Sequence, residues 1–232
     1  MDPNLWGMLP MWLVAFLMSL TFHEAAHAWA AMWGGDRTAH EAGQVTLHPG
    51  PHVRREPFGT LVVPILTYFL NGGGWMLGWA SAPYDPHWAG RHPKRAAGMA
   101  AAGPAANYLL AAVAGGVMFA GLQAGWFALP NGLDTHRLVV GASGSADAIT
   151  SFLSVTFTLN LVLGTFNLLP VPPLDGHSVV GLFLSDDLAR KWSQWGREPM
   201  FALVGILVAW KVFPYLWGPV FRTAIQLLYG WI

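Results

Sequence analysis

Apolar positions along the chain fall into five long runs: Leu5 to Trp33, Thr60 to Ala80, Ala96 to Gly121, Ile149 to Leu169 and Met200 to Ile232. A helix needs about 20 residues to cross roughly 30 Å of hydrocarbon, and every run reaches that length. The pattern predicts an all-α polytopic membrane protein with five to six membrane segments. The last run is long enough for two short crossings hinged at Pro214, or for one crossing plus an interfacial segment. No internal repeat or low-complexity linker interrupts the series, so a single domain over 1–232 is expected. A removable signal peptide is rejected, because the first run has no basic flank and continues past its polar residues without a cleavage site.

The run from Thr60 to Ala80 differs from the others. Its middle reads Asn71-Gly72-Gly73-Gly74, which ends helices and favours turns, and Pro64 interrupts its first half. Cytoplasmic loops carry the excess of Lys and Arg. If 60–80 crosses fully and the last run crosses twice, Arg37, Arg54, Arg55, Arg137 and Lys211 oppose Arg91, Lys94, Arg95, Arg190, Lys191 and Arg197. That even split carries no orientation. If 60–80 enters and returns, nine of these residues share a side and face only Arg137 and Lys211. A re-entrant segment is therefore expected, with the N-terminus outside.

Composition agrees with the pattern. Hydrophobic residues make up 54% and charged residues 10% of the chain, against about 25% charged in a soluble domain. The 13 tryptophans cluster near the ends of apolar runs, as interfacial belts do. Lys plus Arg and Asp plus Glu both number 12, so no basic excess is available to neutralise phosphates and nucleic acid is excluded as a partner. Cysteine is absent, which leaves His, Asp and Glu as the strong metal ligands.

Candidate chemistry sits inside the first run, at His23-Glu24-Ala25-Ala26-His27. Residues four apart share a helix face, so both imidazoles can reach one ion and Glu24 can reach a water beside it. Chance alone gives this H-E-x-x-H pattern in roughly one sequence in 170 of this composition. Three ionisable groups near a membrane centre cost about 2.5 to 3.5 kcal/mol each on insertion scales, which a bound divalent cation would offset. A catalytic zinc usually has three protein ligands. The metzincin extension fails, because Ala30 and Trp33 stand where it needs Gly and His. The later glutamates Glu41, Glu56 and Glu198 lie in polar loops or at a segment edge, so Asp175 is the better third ligand. It follows Pro170, Pro172 and Pro173, which break the helix and hold extended backbone at membrane depth.

These motifs, with Gly103-Pro104-x-x-Asn107 and the stretch from Asn167 to Gly176, resemble the site-2 protease family of intramembrane zinc metalloproteases. The similarity extends through Gly34-Gly35-Asp36 and Pro57-Phe58-Gly59-Thr60, over about residues 15 to 185. The resemblance implies one zinc held by His23, His27 and Asp175, with Glu24 as general base and Asn167 stabilising the transition state. It implies transmembrane proteins as substrates and a multi-pass protein of the cell membrane with its site nearer the cytoplasm. The chain looks like a minimal core without PDZ-like or CBS domains. It departs from the family pattern at Ser81-Ala82-Pro83 and at His177, which offers a rival to Asp175.

Other residues belong to weaker readings. Asn160 and Asn167, seven apart, share a helix face, and Asn160 and Asn107 are expected to contact substrate. Packing is the competing role for Asn107. His40, His48 and His52 could form a second metal site in a loop. Two rival functions stay open: a membrane metal-binding or transport protein, and a non-catalytic relative that binds membrane helices.

Overall fold

In a computed structural model, which describes residues 5–144 and 147–230, the chain begins with α1 (Leu5–Trp33). Two short helices follow, α2 (Thr38–Glu41) and α3 (Pro49–Arg55), and then a π turn (Phe58–Val62) leads into α4 (Val63–Leu70). After an extended stretch come α5 (Pro86–Arg91) and the long α6 (Pro93–Gln123). A small antiparallel pair, β1 (Phe127–Ala128) and β2 (Val140–Gly141), precedes α7 (Ala148–Asn167). The chain ends in α8 (Asp175–Val179), a 3-10 turn (Val180–Phe183), α9 (Asp186–Trp195) and α10 (Pro199–Tyr229). Among the described residues, α1, α6, α7 and α10 are long and apolar enough to cross a membrane. The protein is an all-α, multi-pass membrane protein.

Helix α7 is the centre of the bundle. It packs on α1, α6 and α10, and 72% of its apolar window is buried, against 11% for α10 at the edge. A reciprocal cap starts it: Asp147 Oδ1 accepts from Thr150 N at 2.7 Å, and Thr150 Oγ1 accepts from Asp147 N at 3.1 Å. Two of its buried hydroxyls bond backward along the helix, Ser154 to Thr150 O and Thr165 to Leu161 O. That pattern suits polar side chains with no water nearby. It ends at Asn167, just before a proline-rich loop that cannot continue a helix.

Two apolar clusters brace this centre. Trp12 and Phe16 of α1 pack with Tyr68 and Met76 and with Val155 and Leu159 of α7. Farther along, Met118 of α6, Phe157 and Leu161 of α7 and Leu228 of α10 pack with Leu138 and Val139.

Residues 56–81 form a hairpin. The Asn71–Gly74 turn places Gly72 and Gly73 at φ of 64° and 84°, a region that glycine adopts without strain. Trp79 N then donates to Gly59 O at 3.0 Å, and Ser81 Oγ donates to Glu56 Oε1 at 2.8 Å. Entry and exit lie side by side, so the segment returns to the level it left, as the charge distribution led us to expect. Of the two readings left open for the last run, the one with a hinge at Pro214 is not observed. Helix α10 runs unbroken through Pro214 and Pro219. A proline frees only one carbonyl per position, and helices that cross a membrane tolerate this.

On the loop side of α1, Asp36 joins two segments. Its carboxylate accepts from Thr38 N (2.9 Å), Thr38 Oγ1 (2.6 Å) and Asp85 N (2.8 Å). Burial pushes the Asp36 carboxyl up, but these three donors outweigh it and hold its pKa below the usual carboxylate value. Trp88 Nε1 and Arg95 both donate to Gly34 O nearby, at 3.1 Å each.

Candidate metal centre

The one-turn spacing in α1 brings His23 and His27 to the same face, with their Nε2 atoms 3.0 Å apart. Asp175, the first residue of α8, reaches the same point from the far end of the chain. Its Oδ2 stands 3.0 Å from His23 Nε2 and 3.3 Å from His27 Nε2. Among the described residues this is the only His, Cys, Asp or Glu grouping that could hold a metal ion.

The donor set fits zinc. His27 Nδ1 meets the Met99 carbonyl at 2.8 Å, and since a carbonyl only accepts, Nδ1 carries the proton and Nε2 a lone pair. His23 Nδ1 meets Asn107 Oδ1 at 2.6 Å. Asp175 Oδ2 is buried and accepts no hydrogen bond. Acceptor atoms thus converge where only a cation would relieve their repulsion. Tetrahedral zinc with bonds of about 2.0 to 2.1 Å would set its ligand atoms roughly 3.3 Å apart, close to the spacing found.

Helix α6 lies directly against this cluster. A Cβ on Gly103 would collide with His27 Nε2 and stand 2.6 Å from His23 Nε2. The next residue, Pro104, cannot donate to the Ala100 carbonyl, so the helical ladder of α6 is opened beside the site. Lys94, at the start of the same helix, donates to the carbonyls of Gly181 (3.0 Å), Leu182 (2.8 Å) and Leu184. That clamp ties the turn after α8 to α6. Neither the clamp nor the Met99 carbonyl was foreseen from sequence, because their partners lie about 70 to 90 positions away and no local pattern marks them.

A cavity of about 1540 Å³ opens over the cluster, lined by His23, Glu24, His27, Asn167 and Asp175 and by the stretch from Trp75 to Ala82. Glu24 is buried at 4% exposure and makes no hydrogen bond among the described residues. Asn167 lies half-buried on the same wall, with Nδ2 donating to Leu163 O at 3.0 Å, which leaves its second N–H for a ligand.

Asn107 and Asn160, expected to contact substrate, are fully buried and do not reach the cavity wall. Their amides meet each other and the back of His23 instead, because the small residues of α6 let α1, α6 and α7 close on them. His177, the rival ligand, turns away from the cluster; its Nε2 meets Trp192 O at 3.1 Å and its ring stacks on the Trp192 indole. The second metal site is not formed. His48 Nδ1 caps α3 by accepting from Gly50 N, and His52 Nε2 meets Thr46 O at 3.0 Å, so local backbone partners take both rings.

The sequence profile described as Peptidase family M50 matches residues 11–210. The chain is 31% identical over 192 residues to "Putative zinc metalloprotease YwhC" of Bacillus subtilis, covering 81% of this chain and 75% of that protein. It is 32% identical over 205 residues to "Putative zinc metalloprotease Rip2" of Mycolicibacterium smegmatis, covering 87% of this chain and 68% of the relative. No solved structure matches the chain.

Proposed function

Since the chain belongs to Peptidase family M50 and is a membrane zinc metalloprotease, we propose that it hydrolyses peptide bonds in or near transmembrane segments of other proteins. The observation that carries this reading is the placing of His23, His27 and Asp175, with Glu24, on the wall of a large cavity between helices long enough to span a bilayer.

His23, His27 and Asp175 would hold the zinc. Bound zinc polarises a carbonyl and lowers the pKa of a water from 15.7 to about 7. Glu24, one residue from the first ligand, takes the proton from the attacking water and passes it to the leaving amine. The free N–H of Asn167 donates to the developing oxyanion.

A transmembrane helix hides its carbonyls in hydrogen bonds, so a substrate must be held extended before it can be cut. The stretch from Trp75 to Ala82 offers such a template. Leu77 N donates to Thr67 Oγ1 (2.9 Å) and Trp79 N to Gly59 O (3.0 Å), both on the side facing the hairpin's helix. Backbone groups alternate in direction along an extended chain, so those of Gly78 and Ala80 face the other way and are available for strand addition.

The nine Lys and Arg that share a side now face Arg137 alone, because Lys211 lies within α10. This supports a cytoplasmic position for the loops at Arg54 and Lys94. On that reading the site lies nearer the cytoplasm, about 9 Å of helix rise from Trp33. The test is reconstitution in liposomes with tagged single-span proteins. Zinc-dependent release of a fragment cut within or beside the span is expected, and cleavage confined to soluble peptides would overturn the reading.

A further inference from the structure

Behind His23 lies a chain of buried polar groups that neither hydrolysis nor substrate binding uses. Asn107 Oδ1 meets His23 Nδ1 at 2.6 Å, and Asn107 Nδ2 donates to Asn160 Oδ1 (2.8 Å) and Ser19 O (3.2 Å). Asn160 Nδ2 in turn donates to Ser19 Oγ and to Thr156 O, both at 2.8 Å. Ser19 Oγ closes the series by donating to Ala15 O at 2.7 Å. Asn107, Asn160 and Ser19 are all 0% exposed, and they come from α6, α7 and α1.

Direction is forced along this relay. The carbonyls of Thr156 and Ser19 are acceptors only, so each asparagine must turn its amino group toward them. Asn160 is then left presenting Oδ1 to Asn107, and Asn107 presenting Oδ1 to His23. An oxygen facing Nδ1 requires the proton there, which leaves the Nε2 lone pair directed at Asp175 and His27.

We propose that Asn107, supported by Asn160 and Ser19, is a positioning residue that fixes the tautomer and ring orientation of His23 as a metal ligand, and that Gly103-Pro104-x-x-Asn107 as a whole is the outer shell of the zinc site. Gly103 gives the two imidazoles room, and the helix opened at Pro104 carries the Met99 carbonyl that orients His27. Both ligand histidines thereby donate their Nδ1–H to an acceptor on α6. The proposal rests on the reading of His23 as a ligand.

The experiment is zinc affinity of the purified full chain by chelator competition, with the visible spectrum of the cobalt-substituted protein as a second readout. Wild type, His23→Ala, Asn107→Leu and Asn107→Asp are compared. Loss of an outer partner typically weakens metal binding about 10- to 100-fold, the drop expected for Asn107→Leu together with a changed cobalt spectrum. Asn107→Asp keeps an oxygen opposite Nδ1 but sets its second oxygen against Ser19 O and Asn160 Oδ1. It is therefore expected to lose stability and yet keep more of the affinity and a spectrum closer to wild type than Asn107→Leu, which a merely structural role would not require. Should Asn107→Leu fail to assemble, Asn160→Leu removes the support one step out, and a smaller loss of affinity is expected with the fold intact. Wild-type affinity and spectrum in the assembled leucine variant overturn the proposal. Undiminished zinc binding by His23→Ala overturns the ligand reading itself and the proposal with it.

Discussion

Gly103 of α6 faces His27 of α1 so closely that a single added methyl group would occupy the space of the His27 Nε2 atom. Substituting Ala for Gly within a helix ordinarily favours the helix by about 1 kcal/mol. At position 103 the added carbon meets two ligand atoms instead of open space. Gly103→Ala is therefore expected to assemble and yet hold less than about a tenth of the wild-type zinc, measured by elemental analysis of the purified protein. Full zinc occupancy in that variant would show that α6 can move away from the site.

Asp175 and His177 are separated by one residue, but only Asp175 points at the two histidines. Removing a ligand leaves zinc with two protein ligands, so Asp175→Ala is expected to lose both metal and activity. His177→Ala is expected to keep its zinc and to lose stability by about 1 to 3 kcal/mol, since the Trp192 carbonyl and indole lose a buried partner. Zinc content and thermal unfolding of the two variants decide the matter, and the reverse pattern would make His177 the ligand.

The H-E-x-x-H pair was legible because helix periodicity alone puts residues 23 and 27 on one face, and Asp175 because three prolines signal irregular backbone at membrane depth. The hairpin was legible from Asn71 to Gly74 and from charge. What the sequence hid depends on contacts between distant residues. Asn107 meets His23 across 84 positions and Asn160 across 53, so a polar residue on an apolar helix reads equally well as a substrate contact or as packing. Pro214 left two readings open for another reason. Its cost is judged from helices in water, whereas a membrane leaves the chain no alternative to staying helical.

Topology follows from the hairpin. Arg54 and Arg91 are exposed, lie on either side of residues 56–81 and are expected on the same, cytoplasmic face. Leu133, exposed in the loop between β1 and β2, is expected on the opposite face. The chain has no native cysteine. Single cysteines at 54, 91 and 133 can therefore be probed in intact cells with an impermeant thiol reagent. Labelling only at 133 is expected, and labelling at 54 without 91, or the reverse, would make 56–81 a true span.

The Asp36 carboxyl has a folded-state pKa below its ordinary value, so it contributes stability above the unfolded pKa of about 3.9 and loses it as the pH falls through the folded one. The thermal midpoint of the wild type is expected to drop between about pH 5 and pH 3 more steeply than that of Asp36→Asn, which has no charge to lose there. Equal slopes would mean that the Thr38 and Asp85 donors do not favour the ionised form.

The central claim is that Glu24 acts on water while His23, His27 and Asp175 hold the zinc, and Glu24→Gln separates those roles in one protein. Glutamine keeps the size of the side chain and removes its ability to take a proton. The measurement is zinc content and cleavage of a tagged single-span substrate, made on the same liposome preparation of wild type and variant. Zinc at about one per chain in both, with cleavage lost only in the variant, is the expected result. Loss of zinc along with cleavage would place Glu24 among the ligands, and cleavage retained at the wild-type rate would remove it from the reaction altogether.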